Sequence, residues 1–194
     1  MVERAGVLAM QGDVAEHVTA VSEACDPGVD VRRVRTPAAI EQLDLLVLPG
    51  GESTTISRLL EEYDVGSAIR AHVHAGKPLV ATCAGLILAA SAVADDRIET
   101  LDLLDISVER NAYGRQRASF EAPLTVDGLD SPFPGVFIRA PRIASVGDAE
   151  VLATIRGEPV AVREGPVIGA SFHPELTDDS RFYQLALSNA HAEQ

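Results

Sequence analysis

Leu79-Val80-Ala81-Thr82-Cys83-Ala84-Gly85-Leu86-Ile87 is the stretch on which the fold turns. A short apolar run begins after Gly76 and Pro78, reaches a cysteine, and passes into an Ala- and Leu-rich segment ending near residue 94. The first part has the composition of a buried strand and the second that of a buried helix. A sharp turn from strand to helix has no room for bulky flanks, and Ala81, Ala84 and Gly85 surround Cys83 with small ones. The free N–H groups that open the helix favour a thiolate, and the N–H following Cys83 is placed to help hold an oxyanion. Taken alone, a cysteine among small residues is more often structural than reactive.

The same alternation of strand and helix extends on both sides. Residues 5–10 read as a buried strand, after which Val14, Val18, Val21 and Cys25 recur at helical spacing behind a cap-like Asp13. Residues 29–34 and 44–48 are short β-rich runs. The second ends at Pro49-Gly50-Gly51, and Ser53 is the expected cap of a helix through Glu62, followed by another from Val65 to His74. Such alternation implies a mostly parallel sheet covered on both faces. Beyond residue 100 the pattern changes to short β-like runs at 103–110, 119–126, 136–140, 151–155, 159–163 and 167–172. These read as added antiparallel strands and a last strand returning to the main sheet, closed by a helix over 179–190.

Ligands of such sheets bind beyond the carboxyl ends of the strands. Three segments fall there: Pro49-Gly50-Gly51-Glu52-Ser53, Thr82-Cys83-Ala84-Gly85 and Phe172-His173-Pro174-Glu175. Pro174 biases His173 toward an extended backbone, so the side chains of 173 and 175 project to similar sides. Glu175 can then accept from one imidazole nitrogen while the other faces a thiol, an arrangement of nucleophile, base and orienter. The Gly-Gly turn offers backbone N–H groups to an oxyanion, and no Gly-Lys-Ser/Thr follows to make it a phosphate loop. Arg110 and Arg139, near strand ends, are candidates to bind a carboxylate. His17, His72, His74 and His191 have no evident partner, and His72 and His74, two apart on a helix, do not make a metal site.

Composition narrows the setting. The 194 residues carry 16 basic and 29 acidic side chains, a formal charge of −13, and Lys77 is the only lysine. A protein that binds nucleic acid through its phosphates needs clustered cations, which this chain lacks. Hydrophobic residues make up 46 %, enough for a folded domain rather than a disordered acidic chain. No apolar run reaches the ~20 residues of a membrane span, and no signal-peptide core is evident. A soluble cytoplasmic protein with two free thiols, Cys25 and Cys83, is expected. The acidity fits a salt-rich cytoplasm such as a halophile's.

In combination these motifs resemble the class I glutamine amidotransferases, and more narrowly the glutaminase subunits of pyridoxal 5′-phosphate synthases. The resemblance rests on seven strings in order. They are 6–12 (GVLAMQG), 48–55 (LPGGESTT), 82–87 (TCAGLI), 108–111 (VERN), 113–116 (YGRQ), 136–141 (VFIRAP) and 171–177 (SFHPELT). It implies a single domain over 1–194: a three-layer, flavodoxin-like α/β sandwich with a mostly parallel central sheet and added antiparallel strands. It implies Cys83 as nucleophile, His173 as base and Glu175 as its orienter, with L-glutamine held by Gly51, Glu52, Ser53, Arg110, Ile138 and Arg139. Neither cofactor nor metal is implied. The implied partner is a separate barrel-shaped synthase subunit, in a large hetero-oligomer, that receives the ammonia and activates the glutaminase, and Gln11-Gly12 match a segment that completes the oxyanion site. A glutaminase serving another synthase and a non-catalytic module on the same fold are the alternatives. The VERN and YGRQ strings weigh against the first, and an intact triad against the second.

Overall fold

The computed structural model describes residues 2–110 and 119–189. The first half runs β1 (Arg4–Leu8), α1 (Val14–Ala24), β2 (Asp30–Val34), α2 (Pro37–Glu41), β3 (Leu45–Leu48), α3 (Ser53–Glu62), α4 (Gly66–His74), β4 (Leu79–Thr82) and α5 (Ala84–Ala89). The second half runs β5 (Ala90–Val93), β6 (Leu104–Glu109), β7 (Ser119–Leu124), β8 (Phe133–Ile138), β9 (Arg142–Val146), β10 (Glu150–Ile155), β11 (Glu158–Glu164) and β12 (Val167–Ala170). A 3-10 turn at Pro174–Leu176 and helix α6 (Arg181–Asn189) follow. The strings at 111 and 113–116, and the expected last residue of the final helix, lie outside the described residues.

A seven-stranded sheet in the order β10-β11-β12-β4-β3-β1-β2 forms the centre. The five strands from β12 to β2 are parallel, and β10 and β11 extend the sheet antiparallel from β12. Successive residues of a strand face opposite ways, so a strand buried on both faces must be apolar throughout. In β3, Leu45 and Val47 pack on one face with α1 and α6, while Leu46 and Leu48 pack on the other with α3, α4 and α5. Phe133, Phe137, Phe172 and Phe182 form an aromatic cluster on the α6 side, with ring centroids 5.2–5.8 Å apart where they meet. The smaller sheets β5-β6-β9 and β7-β8 supply the added strands.

Three local expectations are corrected. The Ala- and Leu-rich segment after Cys83 stays helical only to Ala89, because Ala90 pairs with Leu104 and Val93 with Val108 in a new strand. Local helix propensity there yields to long-range pairing. Val14, Val18, Val21 and Cys25 face the core as expected, Val21 fully buried and the others partly, with His17, Ala20 and Ala24 buried beside them. Helix α3 is capped by Glu52, whose carboxylate accepts from the N–H groups of Thr54 and Thr55, and Ser53 is its buried first residue. Asp13 precedes α1 but its side chain makes no cap bond.

Candidate active site

All the parallel strands point their carboxyl ends the same way, so the loops after β1, β3, β4 and β12 meet at one edge of the sheet. Cys83 sits between β4 and α5 with φ of 48° and ψ of −102°, a conformation that costs energy for any side chain and persists only where neighbours enforce it. They do: the Cys83 N–H donates to the Ala170 carbonyl of β12 at 2.8 Å. Gly85 lets α5 come down onto β3, for a Cβ on it would lie 2.1 Å from the Leu48 carbonyl oxygen. Gly12, at φ of 112°, packs equally closely, and a Cβ there would lie 1.8 Å from the Gly50 carbonyl oxygen. The two loops are stitched together by the Asp13 N–H on the Gly50 carbonyl at 3.3 Å and the Glu52 N–H on Gln11 Oε1 at 2.7 Å.

His173 and Glu175 follow β12. The Nδ1–H of His173 donates to Glu175 Oε1 at 2.6 Å, with both residues buried. Nε2 lies 3.3 Å from the Ile138 carbonyl oxygen, which can only accept, and the ring lines the same cleft as Cys83. Burial alone would lower its pKa, but the Cys83 and Glu175 partners outweigh it and drive His173 up to about 11. Acceptors on both ring nitrogens define an imidazolium beside Cys83.

A cleft of about 470 Å³ opens over Cys83 and is lined by Gln11, Gly51, Glu52, Ser53, Arg110, Ile138, Arg139 and His173, among others. Of the residues expected in the triad and the glutamine pocket, only Glu175 lies away from this lining, behind His173. Arg110 does not present a free guanidinium: it bonds Glu52 Oε1 at 2.9 Å and Asp95 Oδ2 at 2.5 Å. It therefore fixes Glu52 in the cleft. Burial would raise the Glu52 pKa, yet the hydroxyl and N–H donors of Thr54 and Thr55 bring it down to about 2. Ile138 contributes its backbone carbonyl to His173 rather than only an apolar wall.

Ligand atoms of Asp13, His173 and Glu175 lie within 4.8 Å of one another. His173 Nδ1 has committed its proton to Glu175, however, and so has no lone pair for a metal. His72, expected to be unpartnered, is buried, and its Nε2 lies 3.0 Å from the Pro78 carbonyl oxygen.

His17 is the residue that sequence reasoning missed. Expected on helical spacing to lack a partner, it is completely buried, 2.9 Å from Thr82 Oγ1 and 3.4 Å from Glu175 Oε2. Its only sequence signal was a polar residue on the inward face of α1.

A strained cysteine elbow, a histidine–glutamate pair at the end of a neighbouring strand and this sheet order define the glutamine amidotransferase class. One solved structure described as a glutamine amidotransferase superposes with a TM-score of 0.89 at 44 % identity, covering 96 % of this chain and 98 % of that one. PurLQS from Thermotoga maritima shares the fold at a TM-score of 0.71 and 16 % identity, covering 97 % of this chain and 99 % of that one. The chain belongs to the SNO glutamine amidotransferase family, which it matches over residues 7–192. It is 59 % identical to the pyridoxal 5′-phosphate synthase subunit PdxT of Halobacterium salinarum, over 94 % of this chain and 92 % of that one. It is 51 % identical to the PdxT of Geobacillus kaustophilus, over the same shares.

Proposed function

We propose that this chain, as one domain over 1–194, is the glutaminase subunit of a pyridoxal 5′-phosphate synthase. It hydrolyses L-glutamine to L-glutamate and ammonia with Cys83, His173 and Glu175. One observation carries the chemistry: His173 shares the cleft with Cys83 and is bonded to the buried Glu175, with an acceptor on each ring nitrogen. The identities to PdxT relatives support the assignment to that synthase.

Cys83 Sγ attacks the side-chain amide carbon of glutamine, and the charge that develops on oxygen is met by backbone N–H groups beside the elbow. His173 gives a proton to the departing nitrogen as the C–N bond breaks, releasing ammonia and leaving a thioester. The neutral imidazole then takes a proton from water, whose oxygen attacks the thioester; the C–S bond breaks, glutamate leaves, and the sulfur is freed beside the regenerated imidazolium. Glu175 holds the imidazole by Nδ1 throughout. Glu52, steadied by Arg110, accepts the substrate ammonium, and Arg139 takes its carboxylate, with Gly51, Ser53 and Ile138 shaping the cleft around both.

The ammonia passes to a separate barrel-shaped synthase subunit that joins it to ribose 5-phosphate and glyceraldehyde 3-phosphate, in a large cytoplasmic hetero-oligomer. No helix among the described residues is long and apolar enough to cross a membrane. Docking has a target in the Gln11 side chain, which occupies the Glu52 N–H and must release it before that donor can face an oxyanion.

The test is glutamate release by Cys83→Ala in the presence of the synthase subunit. The variant is expected to lose hydrolysis while melting at the wild-type temperature, since a thiol-to-methyl change removes little packing. Undiminished glutamate release overturns the triad.

A further inference from the structure

We propose that His17 is a positioning residue of the glutaminase site, which from helix α1 bonds Thr82, the neighbour of the nucleophile, and packs against Glu175, the residue that orients the base. The inference rests on the triad reading above and deepens it.

The tautomer of His17 follows from its partners. Nδ1 lies 2.7 Å from the Asp13 carbonyl oxygen, which can only accept, so Nδ1 carries a hydrogen. Nε2 is left facing Thr82 Oγ1 at 2.9 Å and Glu175 Oε2 at 3.4 Å. Burial holds the ring toward its neutral form against the pull of Glu175, and in that form Nε2 accepts the Thr82 hydroxyl proton. The edge-to-face ring of Tyr183, 6.2 Å away between centroids, fixes the imidazole plane from the α6 side.

Glu175 shows what this contact is for. Its Oε1 is engaged by His173, while its fully buried Oε2 has no hydrogen-bond partner among the described residues. A carboxylate held by one oxygen can pivot about that bond, and the pivot would carry His173 with it. In this tautomer His17 Nε2 donates nothing to Oε2; the ring, held in place by its bonds to Asp13 and Thr82, packs 3.4 Å from that oxygen and blocks the pivot by its bulk. The same nitrogen is bonded to the side chain just before Cys83. Cys83 and His173 arrive on different strands, and one imidazole, anchored at its far end to Asp13, thus indexes both. A displacement of about 1 Å between nucleophile and base is enough to cost on the order of 100-fold in rate.

The test compares His17→Leu, His17→Gln and Thr82→Val in glutamate release by the complex with the synthase subunit, below each variant's melting temperature, with Cys83→Ala alongside. Leucine fills the space without a polar atom, whereas glutamine returns an amide near the Nε2 position. The expected result for His17→Leu is a kcat about 30-fold down with KM within about two-fold, and for His17→Gln recovery to within about five-fold of wild type. Thr82→Val, which keeps the histidine, is expected to lower kcat in the same direction. A wild-type kcat in His17→Leu or in Thr82→Val overturns the proposal, as does an equal loss in His17→Leu and His17→Gln, which would mark a purely structural role. Hydrolysis surviving in Cys83→Ala would instead overturn the triad reading.

Discussion

Replacing Glu175 with glutamine removes a charge while leaving an oxygen in reach of His173 Nδ1, now 2.6 Å from the carboxylate. His173 is raised from an ordinary 6.5 to about 11 against the opposing effect of burial, with Cys83 and Glu175 as its supports. At ~1.36 kcal/mol per pH unit, that difference is on the order of 6 kcal/mol. Losing Glu175 takes away one of the two supports while the opposing effect of burial stays in full, so the His173 pKa must fall well below its wild-type value. The sign for stability follows. Because the folded value exceeds the unfolded one, the stability that His173 contributes is complete below about pH 6.5 and fades as pH rises toward 11. In Glu175→Gln the fading should be complete at a lower pH than in the wild type. The assay is nitrogen NMR of histidine-labelled protein titrated from pH 6 to 11, with the His173 signals identified by their loss in His173→Asn. Glutaminase kcat should fall by ~10²- to 10⁴-fold, since the amide can also present its NH₂ to Nδ1 and force the wrong tautomer. An imidazolium that persists in the variant up to the wild-type pH would refute the assignment of Glu175 as its support.

Three other outcomes follow from the same structure. Gly85→Ala places a methyl 2.1 Å from the Leu48 carbonyl oxygen, so α5 must lift from β3; denaturant melts should show about 3 kcal/mol lost, with hydrolysis lost as well. Glu52→Gln removes the charge that Arg110 holds in the cleft, and steady-state kinetics should show KM for glutamine up at least about ten-fold with a smaller change in kcat. The formal charge of −13 should make stability salt-dependent, with the melting temperature rising between low and molar potassium chloride; an unchanged value would detach the acidity from a salt-rich cytoplasm.

The meeting of the three strand-end segments at one edge of the sheet was legible because local sterics wrote it into the sequence. Small residues around Cys83, paired glycines after β3 and a proline after His173 each act within a few positions of the side chain they serve. What could not be read depends on pairing across the chain. The helix expected to run past Ala89 becomes β5 only because β6 lies beside it, and β9 is a short, half-exposed strand between Pro141 and Gly147. Arg110 looked like a carboxylate binder because its acids, Glu52 and Asp95, are 58 and 15 residues away. His17 was passed over for the same reason: Thr82 is 65 residues distant, and no spacing rule on α1 announces it.

The central claim is that glutamine nitrogen freed at Cys83 ends in pyridoxal 5′-phosphate. The direct measurement mixes the purified chain with a synthase subunit, amide-¹⁵N-glutamine, ribose 5-phosphate and glyceraldehyde 3-phosphate, and follows the mass of the pyridoxal phosphate formed. The account predicts product carrying one ¹⁵N with the wild-type chain and none with Cys83→Ala, which unlabelled ammonium then restores without the label. Labelled product with Cys83→Ala, or no product from the wild-type mixture while ammonium alone supports synthesis, would contradict it.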